Sequence, residues 1–348
     1  MRADQKKPYA ESDGLLRVIS AAPYRALQDA LAKNTFERSP DSQWPTARLD
    51  AGRARGHAQL MPALLDQPIF LTPEQHDALL QTMWEQRKTI CDLDTDVLDA
   101  LSSLWIQKSK GPDASAIAEI DELLLLRGLK RKLGGHGRRG GFTEKQRAVI
   151  LAALSHLHNV WMTIELDVFQ RTRSRAKRKR EMVQSRPFVI TDTLGQLRFD
   201  GYIDVHRFIF HPGSIFGACL WGPMRQVALL SAKALHYNPY RQKWEKRLAR
   251  YISWQWRIRA RAQNYEQPYR VGTLLEALGG KLDSRHPIRT RARFERALDT
   301  LAHDGVIAQW RYKEPTSSGF GWTNDWPGCS VMVEPPAEIR GTYKGLIA

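Results

Sequence analysis

Apolar residues recur with helical spacing over much of this chain, and short alternating runs interrupt them at a few places. Near the C-terminal end, SRHPIRTRARFERALDTLAHDGVIAQWRY sets Phe294, Leu298 and Leu301 on one side of a helix. At about 100° per residue, Arg289, Arg293, Arg296 and Thr300 fall opposite, so one side can pack while the other meets an anionic surface. Gly305 stands where a C-cap glycine would stop that helix, and Val306, Ile307, Trp310 and Tyr312 then read as a strand entering a hairpin. A short helix in YRVGTLLEALGGK and a longer one over Tyr240 to Ala262 precede it.

The upstream pattern has the same rhythm. Thr72-Pro73-Glu74-Gln75 combines an N-cap, a first-turn proline and a capping-box glutamine, which predicts a helix to about Lys88. A second helix follows Asp94 with Val97, Leu101 and Leu104 inward, and a third is expected over Ala116 to Leu126 with Ile117, Ile120, Leu123 and Leu124 inward. Thr143-Glu144-Lys145-Gln146 is another capping box, opening a helix to about His158, after which WMTIELDVFQ alternates as a strand. PFVITD and GYIDVHRFIFHPG continue the strand signal to the turn His211-Pro212-Gly213, and a helical block is expected over Pro223 to about Tyr237. Residues 1–70 lack a sustained period and read as a partly disordered arm, with one short helix in SDGLLRVISAAPYRALQDALAKNTF. Helices followed by a strand hairpin, twice over, predict a mainly α chain with small β wings. That is an α+β fold of two tandem winged helix-turn-helix domains, at 71–213 and 214–348.

Composition narrows the partner. Lys and Arg number 53 against 37 Asp and Glu, a net charge of +16, so the long-range field favours a polyanion. Nucleic acid is the leading partner and an anionic membrane the weaker one. The chain has no apolar run of about 18 residues, the length that would span a bilayer. MRADQKKPYAESDG lacks the apolar core of a signal peptide, so a cytoplasmic protein is expected. Cys91, Cys219 and Cys329 show neither CxxC nor Cys/His ligand spacing, which indicates no disulfide framework and no zinc finger, and no cofactor is expected.

Five groupings are candidates for chemistry. Lys243, Arg247, Arg250, Trp254, Arg257 and Arg261 recur at spacings of 4, 3, 4, 3 and 4 and line one stripe, with Trp244, Leu248, Tyr251 and Ile258 on the other side. Crowded like charges cost stability unless an anion neutralises them, which favours phosphate contact over a solvated face. On the next basic helix Arg289, Arg291, Arg293, Arg296 and Thr300 are base-reading candidates, since a guanidinium fork matches guanine O6 and N7. The cluster from Arg171 to Arg186, with Arg173, Arg175, Lys177, Arg178, Lys179 and Arg180, reads equally as a basic wing tip between two strands or as a disordered charged loop. The glycine-rich loop 134–141, with Arg138 and Arg139, and Lys145 beyond it, suits a DNA backbone and lacks the GxxxxGK[ST] of a nucleotide site. His156-Leu157-His158 matches the His-apolar-His pattern of metal-dependent nicking enzymes, with Tyr240 or Tyr251 as a nucleophile. On a helix, however, residues two apart point about 200° from each other and cannot share a metal, so the chain is expected not to be an enzyme.

Three stretches, together with the element order over residues 70–335, resemble plasmid replication initiators of the tandem winged-helix, iteron-binding type. They are LDTDVLDALSSLW with GFTEKQRAVILAALSHLHNVWM, then RQVALLSAKALHYNPYRQKWEKRLARYISWQWR, then RTRARFERALDTLAHDGVIAQWRY. The resemblance implies a C-terminal domain that reads origin direct repeats in double-stranded DNA through the helix of Arg289, Arg293 and Arg296. It also implies an N-terminal winged domain that touches further DNA and can form homodimers. Recruitment of a host initiator and the replicative helicase, without nucleotide hydrolysis, and a nucleoid or plasmid location follow from the same resemblance. The arm, the Arg171 to Arg186 insertion and the glycine-rich loop have no counterpart in that pattern. A transcriptional repressor with the same tandem domains is the second expectation, and a rolling-circle nickase the third.

Overall fold

A computed structural model describes residues 14–51, 54–63, 71–111, 113–132, 140–171, 176–197, 203–220, 226–315 and 321–347. The chain divides into two compact units, one of Val18–Val227 and one that joins the residues up to Arg17 to Ala228–Ala348. The division therefore falls beyond the turn at Pro212-Gly213 where the sequence pattern placed a boundary.

The described residues open with β1 (Leu15–Ile19). The first unit then runs through α1 (Ala22–Lys33), β2 (Glu37–Ser39), β3 (Ser42–Ala51), β4 (Ala54–Leu60), α2 (Pro73–Thr89), α3 (Asp92–Lys108), β5 (Ala116–Glu119) and α4 (Ile120–Leu126). It continues with α5 (Glu144–Asn159), β6 (Val160–Arg171), β7 (Ala176–Ser185), β8 (Phe188–Leu197), β9 (Ile203–Pro212) and α6 (Ser214–Leu220). Both threonine capping boxes form: Thr72 and Thr143 each accept from the backbone of a glutamine three residues on, at 3.3 and 3.2 Å, and each glutamine accepts in return. Helix α3 is acidic in sequence yet central, because its carboxylates are paired. Asp94 meets His156 at 2.7 Å, Asp96 faces Arg127 at 3.5 Å, and Asp99 accepts from the Tyr24 hydroxyl at 2.7 Å. Around them pack Val97, Leu101, Leu104, Leu27, Leu31 and an aromatic cluster of Tyr24, Phe188, Phe210 and Phe216.

Two antiparallel sheets serve this unit, β2-β3-β4-β6-β7 and β5-β9-β8. The elements α3, β5, α4, α5, β8 and β9, with β9 between β5 and β8, have the connectivity of a winged helix whose wing is the β8–β9 hairpin. Strands β6 and β7 are inserted between its third helix and its wing and belong to the other sheet. Where β4 crosses β6, Gly56 is required: a Cβ there would lie 2.1 Å from the Thr163 carbonyl oxygen.

Four expectations are corrected here. Within the stretch read as an arm, 1–70, the described residues are folded: α1, the one helix expected there, lies in the core, and Ala47, Leu49, Ala58 and Leu60 are buried in the sheet. Ala116–Glu119 is a strand paired with β9, so the third helix is confined to Ile120–Leu126 and Ile117 faces solvent at 51% exposure. The segment between WMTIELDVFQ and PFVITD is not a loop joining those two strands, since Ala176–Ser185 is a strand of its own that pairs with β6 along its length. The helical block expected over Pro223 to Tyr237 is a strand followed by a single turn, β10 (Val227–Ser231) and α7 (Lys233–His236).

The second unit takes β1 as the partner of β10 and continues through α8 (Lys243–Ala260), β11 (Tyr269–Arg270), α9 (Val271–Ala277), α10 (Pro287–His303) and β12 (Gln309–Tyr312). It closes with α11 (Trp322–Asp325), β13 (Ser330–Glu334) and α12 (Ala337–Ile347). Its sheet has the order β11-β13-β12, in which Trp310 and Tyr312 lie opposite Val333 and Val331. The core is made by Leu248, Ile252 and Trp256 of α8, Leu274 of α9, Phe294, Leu298 and Leu301 of α10, and Ile307, Trp326, Val331 and Val333. Gly305 ends α10 as expected, at φ +72°, a conformation that only glycine adopts without strain.

Candidate nucleic-acid interface

Helix α10 is divided cleanly between packing and exposure. Phe294, Ala297, Leu298 and Leu301 are buried, while Ile288, Arg289, Ala292, Arg293, Arg296 and Asp299 are exposed. The separation follows from the 3.6-residue period, which sends the Arg289, Arg293 and Arg296 row away from the Phe294 and Leu298 row.

The helix is fixed to its wing by side-chain hydrogen bonds. The Tyr312 hydroxyl donates to Glu295 Oε1 at 2.9 Å, and Trp310 Nε1 donates to Asp299 Oδ1 at 2.9 Å. The Tyr312 oxygen in turn accepts from Trp326 Nε1 at 3.0 Å, and the Trp326 ring sits 5.7 Å from that of Phe294. Burial pushes the Tyr312 phenol up to about 12, so it stays a donor throughout the physiological range. These contacts hold the exposed arginines in a fixed relation to β12, whose alternation leaves Gln309 and Arg311 exposed, with Lys313 exposed just past its end.

The candidate base readers separate on this structure. Arg289, Arg293 and Arg296 share the outward face. Arg293 lies with its guanidinium carbon 4.4 Å from the centroid of the Trp244 ring on α8. Arg291 is on another side: its Nε donates to Glu295 at 2.9 Å and its guanidinium lies over the rings of Tyr312 and Trp322. Thr300 is half-buried and donates its hydroxyl hydrogen to the Arg296 carbonyl at 2.9 Å, which leaves only an acceptor for any ligand.

The α8 stripe is corrected. Lys243, Arg247, Arg250, Trp254, Arg257 and Arg261 do lie on the side opposite Leu248, Ile252 and Trp256, but α7, α9, α10 and α12 all pack on this helix. Arg250 is buried at 4% exposure, Arg247 donates to the Leu278 carbonyl at 2.6 Å, and burial holds the Arg257 guanidinium below its ordinary range. Lys243, Trp254 and Arg257 are half-buried, and Arg261 alone of the six is exposed. Ile258, expected on the packed side, is 46% exposed.

In the first unit the helix equivalent to α10 is α5, and its chemistry differs. Its exposed side carries Lys145, Ala148, Val149, Ala152 and Ser155, while Arg147 pairs with Asp121 at 2.8 Å. His156 and His158 diverge as helical geometry requires: His156 meets Asp94 and the Thr89 hydroxyl, and His158 faces Arg186. Lys177, Arg178, Lys179 and Arg180 stand on β7 opposite Gln170, Phe169, Val168 and Asp167. Arg138, Arg139, Arg173 and Arg175 lie outside the described residues. Two features escaped sequence reasoning. Arg311 and Lys313 were signalled by their alternation with Trp310 and Tyr312, and the exposed pair Ile288 and Ala292 by its spacing between arginines.

The second unit is thus a winged helix-turn-helix with arginines on the outward face of its third helix, and the first unit repeats its connectivity with an inserted strand pair. No protein-family model matches the chain, and no curated protein does so either. Among solved structures the chain is similar to domains 2 and 3 of RctB. A crystal structure of RctB 155–483 aligns with TM-score 0.46 and 11% identity over 90% of this chain and 99% of that one. A selenomethionine derivative of the same domains gives 0.40 and 11% over 79% and 85%. No helix among the described residues is long and apolar enough to cross a membrane.

Proposed function

We propose that the chain is a non-enzymatic, sequence-specific double-stranded DNA-binding protein that initiates plasmid replication, by binding direct repeats at an origin and recruiting host replication proteins. The observation that carries this reading is the face of α10, where Arg289, Arg293 and Arg296 project from a helix clamped to its wing. A helix of this kind fits the major groove, where guanidinium groups pair with guanine edges, and the wing sets Arg311 of β12 and Lys313 just past it beside phosphates. Arg291 acts within the protein, holding Glu295. Sequence-independent affinity comes from Lys243 and Arg261 at the two ends of α8, from Lys177 to Arg180 on β7, and from the net charge of +16.

The test is a footprint of the full chain on DNA flanking its own gene, at physiological salt with excess random competitor. Protection of several evenly spaced direct repeats, lost in Arg293→Ala and Arg296→Ala, is the expected result. Protection of one isolated palindrome would assign a transcriptional repressor instead. Uniform coverage or none would refute sequence reading altogether.

A further inference from the structure

Ile288 is the most exposed large apolar side chain among the described residues, at 73%, and it stands in the first turn of α10. One turn on, in the same row, is Ala292, also exposed. An isoleucine in that position stabilises nothing in the free protein: it buries little surface, and its β-branch disfavours a helix slightly. Arg285, Arg289, Arg293 and Arg296 are all exposed around it, an unsuitable setting for an apolar protein partner and a suitable one for a polyanion with apolar groups in its interior. The major groove of DNA is such a surface, and the thymine C5-methyl is its apolar feature.

We infer that Ile288 and Ala292 read thymine methyl groups, beside the guanine or phosphate contacts of Arg289 and Arg296. The inference rests on the proposed entry of α10 into the major groove. Ala292 is small enough to bring the helix axis close to the base edges, while Ile288 reaches further along the groove floor. The row ends at Asp299, an acid held by Trp310 at 2.9 Å, where contact with the acceptor-rich groove would be repelled. Apolar reading is therefore confined to the first two turns, the part of a recognition helix that meets base edges. The site read by this chain then contains thymine next to guanine in each repeat, and Ile288 discriminates T·A from a pair without the methyl.

The experiment uses the full chain and DNA selected by it from a random pool, with each thymine replaced singly by deoxyuridine, which removes the methyl and keeps the pairing. At one or two thymines per repeat, the loss should weaken wild-type binding roughly fourfold, the value of one buried methyl-sized group. At the thymine that Ile288 meets, Ile288→Ala should bind the thymine and deoxyuridine sites equally and Ile288→Val should keep a reduced preference, while any second sensitive thymine, read by Ala292, should keep its preference in both variants. If Arg296→Ala abolishes site preference yet no thymine shows the effect, or Ile288→Ala retains it in full, methyl reading is overturned while DNA reading stands. If no sequence is selected, or selection is indifferent to Arg289→Ala and Arg296→Ala, the proposed function itself falls and this inference with it.

Discussion

The stack of Arg293 on Trp244 makes a prediction whose sign separates two roles for that tryptophan. The guanidinium carbon is 4.4 Å from the ring centroid, so the planar group lies against the indole while its N–H edges remain available to a base. Ordering a long, flexible side chain at an interface costs about 0.5–1.5 kcal/mol, and a stack worth about 0.5–1 kcal/mol offsets much of that cost before DNA arrives. Trp244→Leu, which keeps apolar packing and removes the ring, should therefore weaken specific binding by about 0.5–1 kcal/mol, or roughly two- to fivefold. Arg293→Ala should cost about 1–3 kcal/mol, the range of one base contact.

The decisive measurement is a double-mutant cycle on the selected DNA site, read by fluorescence anisotropy at fixed salt, with urea unfolding confirming that each variant is folded. Once Arg293 is alanine there is no guanidinium to orient, so the Trp244 effect should vanish and the coupling should equal the whole Trp244→Leu loss. Strict additivity would refute preorganisation. Tighter binding by Trp244→Leu would show the reverse role, in which the ring withholds Arg293 from DNA.

Tyr312→Phe removes the acceptor for the Trp326 ring N–H, which is 2% exposed as a residue, and should destabilise the second unit by about 1–3 kcal/mol in urea unfolding. An unchanged midpoint would mean that the clamp between α10 and its wing does not depend on that hydroxyl. Lys246 is fully buried and donates to the carbonyls of Ala234 and Leu235 at 2.9 and 3.2 Å, so Lys246→Ala should cost about 3 kcal/mol or more, measured the same way. Arg261→Ala and Lys243→Ala should each flatten the dependence of log affinity on log salt by roughly one unit of slope, with little change in stability. Arg250→Ala should do the opposite, lowering stability and leaving the salt slope intact; a flattened slope there would reinstate the continuous α8 stripe.

What was legible in the sequence was whatever one helix decides alone. The two faces of α10 are defined by its own period, and Phe294, Leu298 and Leu301 are buried as that period requires. The α8 stripe failed for a long-range reason: periodicity gives the faces of an isolated helix, whereas Arg250 is covered by elements distant in sequence. The N-terminal segment was obscured by its polar residues. Arg25 and Gln28 are buried on α1 with partners in Asp29 and Asp99, so a core helix reads as an exposed one. In β3 the alternation of buried Ala47 and Leu49 with Arg48 and Asp50 was present, but its meaning depends on β4 and β6, and β6 lies far along the chain. The basic segment Lys177 to Arg180 shows the same dependence, since pairing with β6 makes it a strand against its charge pattern.

The two units also separate fold from function within one chain. Each carries helix, strand, helix, helix and a hairpin, with the last strand between the other two, so backbone geometry alone offers two helices in the third-helix position of a winged helix. Side chains distinguish them. The outward face of α10 bears Arg289, Arg293 and Arg296, whereas Lys145 is the one exposed cation among the described residues of α5, followed by Ala148, Val149, Ala152 and Ser155. A face of small and weakly apolar groups has little to offer guanine edges or phosphates. Exchanging the outward residues of α5 for those of α10 is therefore a sharper assay of the site than any deletion. If chemistry on a shared scaffold sets base reading, Arg289→Ala with Arg293→Ala and Arg296→Ala should erase site preference, even though the first unit still presents an intact helix of the same kind.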